Sequence, residues 1–330
     1  MGATLKDKVI VITGASSGAG RAISNALAKE GASLVLAARS EEALQEVALE
    51  CRELGGGQTL VVPTDTRSAA SMEGLARRSL TLNGRLFAWI NNAGVMVVGS
   101  LEQVPANIAE EVIRTNLIGY INGAKASLPI FKKQDQGILI NNISVGGWLP
   151  TPYATAYSAS KFGVRGFSEA LKGELKSFPN INVVDLYPGF LDTPGLQHAG
   201  NYTGKVIKPA ATLGDPRSVA DAVVKLLIDP KSRKTIGFPS AALRLSYALL
   251  PALTRNTTGR MISKYLNHAD PTAPTQGNIM EPVAYGTSID GGWRKPMSTP
   301  VKIAASALFV TVGLTAFFLT SNFKKTVDIK

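Results

Sequence analysis

An α/β fold built on a doubly wound parallel sheet follows from three features of the 330-residue sequence. Short strand-like runs and helix-like runs alternate about seven times. The strand-like runs are mostly continuous in apolar character, as in strands covered on both faces. Glycine, proline and small polar residues cluster just past them, where open parallel sheets bind ligands.

Residues 9–13 form the first β-branched run, a buried strand by pattern. The turn Thr-Gly-Ala-Ser-Ser-Gly-Ala-Gly follows, with Gly14, Ser16, Ser17, Gly18 and Gly20, and residues 21–30 read as a helix. Such a turn lets main chain approach a pyrophosphate, whose charge the free amides and the helix dipole favour. The spacing is GxxxGxG rather than GxGxxG. The lysine of a GxxxxGK loop is absent, which argues against an ATPase. Residues 33–38 read as the second strand, with Arg39 at its end. An acidic residue there would hold the ribose 2′-OH of NAD, whereas an arginine suits the 2′-phosphate of NADP. Arg39 is either that ligand or a solvated surface residue, and the missing acid favours NADP.

A helix over 41–54 stops at Gly55-Gly56-Gly57, and a third strand covers 59–63. Asp65, just beyond, either contacts adenine or caps a helix from Ser68. A fourth strand over 86–90 ends in Asn91-Asn92-Ala93-Gly94, residues suited to close passage of a ligand or to tying strands together. Residues 106–131 carry one or more helices with Asn116 among Ile113, Leu117 and Ile118. A buried asparagine there must be hydrogen-bonded.

Residues 138–143 read as a strand that leads through Ser144 to a helix over 158–178. Tyr157 and Lys161 stand four apart and share a helix face. An ammonium near a phenol favours the phenolate, which makes Tyr157 a candidate acid/base. Ser144 is placed to bind the oxygen that Tyr157 protonates. Residues 181–187 form another strand, broken by Pro188-Gly189 and followed by Thr193. Residues 190–213 have little periodicity and read as a mobile loop over the site. A helix over 216–228 and a last strand over 235–238 complete the pattern.

The motifs at Thr13–Gly20, Asn91–Gly94, Asn116, Ser144, Tyr157-x-x-x-Lys161 and Pro188-Gly189 with Thr193 occur in order. Together they make the chain resemble the classical short-chain dehydrogenase/reductase family over about residues 5–240. The resemblance implies a Rossmann-like fold and direct hydride transfer between a nicotinamide cofactor and a carbonyl/alcohol pair. It implies Tyr157 as general acid/base, Lys161 as the group that lowers its pKa and binds the nicotinamide ribose, and Ser144 as the substrate-orienting hydroxyl. Asn116 would hold a relay water and Thr193 the carboxamide. Gly14, Ser16, Ser17, Gly18, Gly20, Arg39, Asp65, Asn92, Ala93, Gly94, Pro188 and Gly189 would line the cofactor, with NADP(H) preferred and NAD(H) possible. Pairing through helices 106–133 and 156–177, as homodimer or homotetramer, is implied as well.

Composition limits the alternatives. Cys51 is the single cysteine, so no internal disulfide forms, and with only His198 and His268 no zinc site is expected. The net charge of +11 and pI near 9.7 point to an anionic ligand, an acidic membrane surface or nucleic acid. Nucleic acid is disfavoured because the basic residues are not interleaved with a stacking platform. Met1 to Lys8 carries no signal or transit peptide pattern.

Some ninety residues remain after the catalytic core of residues 1–240. Residues 231–268 hold seven lysines and arginines, no acidic residue and an apolar run over 241–253. That segment rests on an anionic membrane or packs on the core. Residues 268–300 are rich in Pro, Gly, Thr and Asn and read as an irregular linker, closing an extension over 241–300. The 21 residues 303–323 are uncharged, and as a helix would span about 31 Å, close to a bilayer core. A single transmembrane helix over 301–323, a short basic tail over 324–330 and a cytoplasmic catalytic domain are therefore expected. The flanking charges do not fix orientation, since Arg294, Lys295 and Lys302 balance Lys324, Lys325 and Lys330. A membrane location favours a hydrophobic or lipid-like substrate. The competing readings are a soluble 3-oxoacyl-thioester reductase and a low-turnover cofactor-binding scaffold or sensor.

Overall fold

The computed structural model describes residues 4–209 and 213–294. In chain order the elements begin with β1 (Val9–Thr13), α1 (Gly18–Lys29), β2 (Ser33–Ala38), α2 (Glu41–Glu53), β3 (Thr59–Pro63) and α3 (Ala69–Ser79). Next come β4 (Ala88–Asn91), β5 (Val97–Val98), α4 (Ala106–Ile113), α5 (Gly119–Gln134), β6 (Gly137–Asn142) and α6 (Thr155–Glu174). The chain continues through β7 (Ile181–Pro188), β8 (Gly200–Asn201), α7 (Arg217–Ile228), β9 (Arg233–Ile236), α8 (Phe238–Leu249) and α9 (Pro251–His268).

Seven strands form one sheet in the order β3-β2-β1-β4-β6-β7-β9, every pair parallel. The sequence order reverses at β1, so the crevice between the carboxyl ends of β1 and β4 is the topological switch point. Successive strand residues serve opposite faces. Ile10, Ile12, Leu34 and Leu36 enter the core under α1, α2 and α7. Val9, Val11, Val35 and Leu139 enter the core under α3, α5 and α6. This double burial is why the strands read as continuous apolar runs.

Two close approaches fix the turn after β1. Gly14 adopts φ +65°, and a Cβ on Gly20 would overlap the Gly14 carbonyl. Both positions need glycine, the first for its backbone conformation and the second for the packing of α1 on the loop.

Asp185 on β7 is fully buried, yet Lys172 of α6 reaches it at 2.6 Å and Ser168 donates at 2.5 Å. Burial pushes this carboxyl upward against the pull of the Lys172 and Ser168 hydrogen bonds. Lys172→Ala removes the counter-charge and leaves a buried carboxylate unpaired, at a loss of about 3 kcal/mol in urea unfolding. A carboxyl whose folded pKa lies above its unfolded value binds a proton on folding, so its contribution falls as pH rises. The variant's deficit should therefore be smaller at pH 5 than at pH 8, and an equal deficit at both would remove Asp185 as the cause.

The extension after β9 is helical and then irregular. The helices α8 and α9 pack on one another, and neither is long and apolar enough to cross a membrane; nor is any other described helix. The expected spanning run, residues 303–323, lies outside the described residues. Residues 269–294 contain no helix, in keeping with their composition, but they are not a free tether: they fold back across the catalytic domain. The loop of residues 190–213, expected to be mobile, is pinned in part. Within it β8 pairs with β5, and Asn201 pairs with Thr275 of the returning segment.

Candidate active site

The residues singled out in the sequence converge at the carboxyl ends of β4 and β6. Ser144 follows β6 with φ +97°, a conformation costly for a residue with a Cβ. Its main-chain amide bonds Leu186 O, and its hydroxyl accepts from the Gly146 amide at 3.2 Å. That strained turn sets the hydroxyl beside Tyr157, on the first turn of α6. Gly146 lies against this group: a Cβ there would stand 3.1 Å from the Tyr157 ring and 3.6 Å from Ser144 Oγ. Lys161, one turn on, is 5% exposed. Its Nζ sits 5.7 Å from the Tyr157 ring centroid and donates to Asn142 O at 3.5 Å.

The electrostatics of this group differ from the expectation drawn from spacing. Burial pushes the Tyr157 phenol above its ordinary range, and the polar Ser144 hydroxyl beside it offsets this in part. Burial likewise pulls Lys161 down to about 7. Desolvation disfavours both charged forms and outweighs the stabilisation an ammonium gives a nearby phenolate.

Asn116 is fully buried and sits in a π-helical turn, Arg114–Ile118, that separates α4 from α5. Such a turn inserts an extra residue and commonly marks a functional site. Asn116 accepts from the Val95 amide and donates to the Val95 carbonyl, both at 2.8 Å, and donates to Ser160 Oγ at 3.1 Å. A Cβ on Gly94 would lie 3.4 Å from Asn116 Oδ1 and 3.8 Å from Lys161 Nζ. The side chain therefore stands on the Lys161 side of the site. Nothing in the polarity pattern of the helix signals the π turn.

The Asn-Asn-Ala-Gly turn ties strands together. Asn91 donates to Asn141 Oδ1 and to Tyr120 O, while Asn92 donates to the carbonyls of Thr13 and Gly14. Ala93 packs against Gly14. Thr193 is set beside Gly18, whose Cβ would stand 3.2 Å from Thr193 Cβ. Pro188 ends β7, and Ser240 at the start of α8 packs on Gly189. The extension also touches the turn after Ser144: the Arg244 guanidinium lies 4.0 Å from the Trp148 ring centroid, and Arg165 lies at 3.4 Å.

The loop after β1 fits a dinucleotide pyrophosphate. Gly14 and Gly18 adopt positive φ, α1 carries no acidic residue in its first turn, and Ser16 and Ser17 lie between them. Arg39 stands just past the end of β2, and no carboxylate forms an ion pair with it among the described residues. Asp65 is instead engaged. Arg67 donates to it at 2.6 Å and also reaches Glu111 at 2.6 Å. The helix cap that was the other reading of Asp65 belongs to Ser68, which accepts from the Ser71 amide.

One group of residues had no signal in the sequence. The returning segment packs Ile279, fully buried, among Val95, Val97, Ile108 and Val112. Met280, Tyr157 and Tyr202 pack on the same cluster. The carbonyls of Asn278, Ile279 and Met280 accept from Arg39. Ile279-Met280 is one of several short apolar interruptions of this stretch, with Val283-Ala284-Tyr285, Ile289 and Trp293, and nothing singles it out. Among the described residues no cluster of histidine, cysteine and acidic side chains is placed to hold a metal ion.

The short chain dehydrogenase family model matches residues 8–202. The chain is 31% identical over 328 residues to the uncharacterised oxidoreductase YxnA of Bacillus subtilis, covering 95% of this chain and 90% of that one. It is 37% identical over 187 residues to 11-beta-hydroxysteroid dehydrogenase A of Sesamum indicum, covering 56% of this chain and 53% of that one. Among solved structures, an alcohol dehydrogenase from the archaeon Thermococcus sibiricus, complexed with 5-hydroxy-NADP, superposes with a TM-score of 0.61 at 29% identity. That match covers 70% of this chain and 96% of the archaeal one. The parallel sheet, the convergent Ser144, Tyr157 and Lys161, and these likenesses agree: the chain belongs to the short-chain dehydrogenase/reductase family and is an oxidoreductase acting on alcohol and carbonyl groups.

Proposed function

We propose that the protein is an NADP(H)-dependent oxidoreductase that interconverts a carbonyl and an alcohol on a hydrophobic, lipid-like substrate. The observation that carries this reading is the convergence of Ser144, Tyr157 and Lys161 around Gly146, with Lys161 one turn from Tyr157 on the same helix. Gly14, Gly18 and the N-terminus of α1 would hold the pyrophosphate, Arg39 the 2′-phosphate, and Thr193 the nicotinamide end. When bound, the nicotinamide supplies or accepts a hydride at the substrate carbon. Ser144 donates a hydrogen bond to the substrate oxygen and holds it against Tyr157 Oη. Tyr157 gives its proton to that oxygen in reduction and takes it back in oxidation. Lys161, when protonated, lowers the cost of charge on the phenolate oxygen. Asn116 helps to define the polar path by which Lys161 regains a proton from solvent.

Burial raises the Tyr157 pKa, so the phenol is protonated across neutral pH. Reduction uses that form and should be level on the acid side, declining as Lys161 and then Tyr157 lose their protons. Oxidation uses the phenolate and should rise with pH into the alkaline range. Initial rates in both directions between pH 6 and 10 test this, and identical profiles would remove Tyr157 as the proton carrier.

The lipid-like substrate and a membrane location rest on the extension. Leu245, Leu249, Leu253 and Met261 of α8 and α9 are between 58% and 68% exposed, and residues 231–268 hold no acidic side chain. Basic apolar helices of this kind favour anionic bilayers. The uncharged run over 303–323 is the proposed anchor, with the catalytic domain on the cytoplasmic side. NADPH-dependent reduction of long-chain ketones, sterols, short-chain ketones and 3-oxoacyl thioesters should be compared for full-length protein and a variant truncated after Thr299. Turnover of apolar carbonyls, with only the full-length protein in membranes, is expected. Preference for soluble thioesters with no partitioning would overturn the membrane reading and leave the redox chemistry intact. Self-association through residues 106–133 and 156–177 completes the proposal.

A further inference from the structure

The segment that returns from α9 crosses the cofactor crevice from one rim to the other and back. It is fastened at its start, where Thr275 pairs with Asn201 and the Asn278 amide donates to His198 O at 2.9 Å. It is fastened at its end, where the Trp293 and Arg294 amides each donate to the Asp192 carboxylate at 3.0 Å. Arg294 adds ion pairs to Asp192, Asp215 and Asp290. Asp192 is the immediate neighbour of Thr193, at the nicotinamide end of the site.

Between these fasteners the strap takes up donors that a phosphorylated cofactor needs. The Arg39 guanidinium donates to the carbonyls of Ile279 at 3.1 Å and Met280 at 2.8 Å, and to that of Asn278. The Gly18 amide, in the glycine-rich loop, donates to Ser288 O at 2.9 Å. Arg21, on the first turn of α1, donates to Thr287 O at 2.8 Å. Ile279 fills an apolar recess lined by Val95 and Val112, on the residues just past β4 and on α4.

We propose that Asn278–Arg294 is an intrasteric gate that occupies the adenosine-phosphate half of the crevice and must lift for NADP(H) to bind. The inference rests on the cofactor reading above. Its physical basis is an exchange of partners. The strap offers Arg39 neutral carbonyl dipoles, whereas a 2′-phosphate offers full negative charge and bidentate geometry. The strap holds the closed state through many modest bonds, and a phosphorylated nucleotide displaces it by one stronger set. A site that is open for only a fraction of the time binds with an affinity reduced by that fraction.

The test uses the full-length protein, with NADP+ and NADPH as probes. Backbone hydrogen exchange is followed in the strap, with the Asn278, Ile279 and Gly291 amides as reporters. Saturating NADP+ should raise their exchange at least fivefold. A second measurement uses the doubly substituted Ile279→Ala/Arg294→Ala chain, which loses the apolar plug and the terminal fastener but no proposed cofactor ligand. Its Kd for NADPH, read by fluorescence titration, should fall at least fivefold. Increased protection of the strap by NADP+, or an unchanged or weaker Kd in the variant, would overturn the gate and make the strap a cover that closes over bound cofactor or a passive brace. If the variant does not fold, the exchange experiment on the unmodified chain decides alone. Failure of the unmodified chain to bind either nucleotide overturns the cofactor reading and the gate with it, whereas binding with undiminished strap protection overturns the gate alone.

Discussion

Tyr157→Phe should lower turnover by about 10³-fold or more while NADPH still binds, because general acid–base transfer by a positioned side chain is worth about 10²–10⁴-fold. The substitution removes one oxygen and leaves the ring in place. The ring packs on the apolar cluster with Ile279 and Met280, and its loss rather than that of the hydroxyl would disturb the fold. The other hydroxyls near Tyr157 are engaged differently. Ser144 stands beside Tyr157 and its hydroxyl oxygen accepts from the Gly146 amide at 3.2 Å. Tyr120 is buried under Lys161 and donates its own hydroxyl to Asn142 O at 2.7 Å. Its hydroxyl proton is therefore committed to that carbonyl. The measurement is kcat for NADPH-dependent carbonyl reduction alongside a direct NADPH titration. Near-normal kcat in the variant would sink the mechanism. Loss of both kcat and binding would instead assign Tyr157 to the cofactor site.

The difference between what the sequence predicts and what the fold shows has a common physical origin. Properties that depend on neighbours in sequence are legible. The strand runs, the glycine-rich turn, the Tyr157–Lys161 spacing and the apolar character of β1, β2 and β6 follow from local pattern, because each strand is buried on both faces. Properties set by distant segments are not. The upward shift at Tyr157 and the downward shift at Lys161 come from the depth of the site, which spacing on one helix does not reveal. The π turn at Asn116 goes with a pair of hydrogen bonds to Val95, twenty-one residues away, which local residue pattern does not reveal. The most instructive case is the returning strap. Its Pro, Gly and Thr content correctly denies it a helix, yet its position is fixed by partners more than eighty residues away, such as Asp192 with Trp293 and Arg39 with Met280. Irregular backbone was legible as irregular. That it would be bound, and where, was not.

Cofactor choice gives the second large effect. Arg39→Asp should move the ratio of kcat/KM for NADPH over NADH towards NADH by about 10²-fold or more, since a charge-assisted hydrogen bond is worth about 1.5–3 kcal/mol and the new carboxylate also repels the 2′-phosphate. The same carboxylate can accept from a ribose 2′-OH, which adds to the shift. Arg39 has a second partner set in the strap carbonyls, so the substitution also loosens the gate. That complication cancels in the ratio: lifting the strap is required for either cofactor, and its release changes both affinities by the same factor. Absolute affinities therefore report on the gate and their ratio on the phosphate contact. A ratio unchanged by Arg39→Asp would remove Arg39 from cofactor recognition and leave it as the strap's anchor alone. A ratio that inverts while NADH binding tightens beyond what one new hydrogen bond to the ribose 2′-OH explains would show both roles in one residue. Asp65, one of the acidic groups that act on position 39, is already paired with Arg67 at 2.6 Å, which limits its repulsion of the new carboxylate.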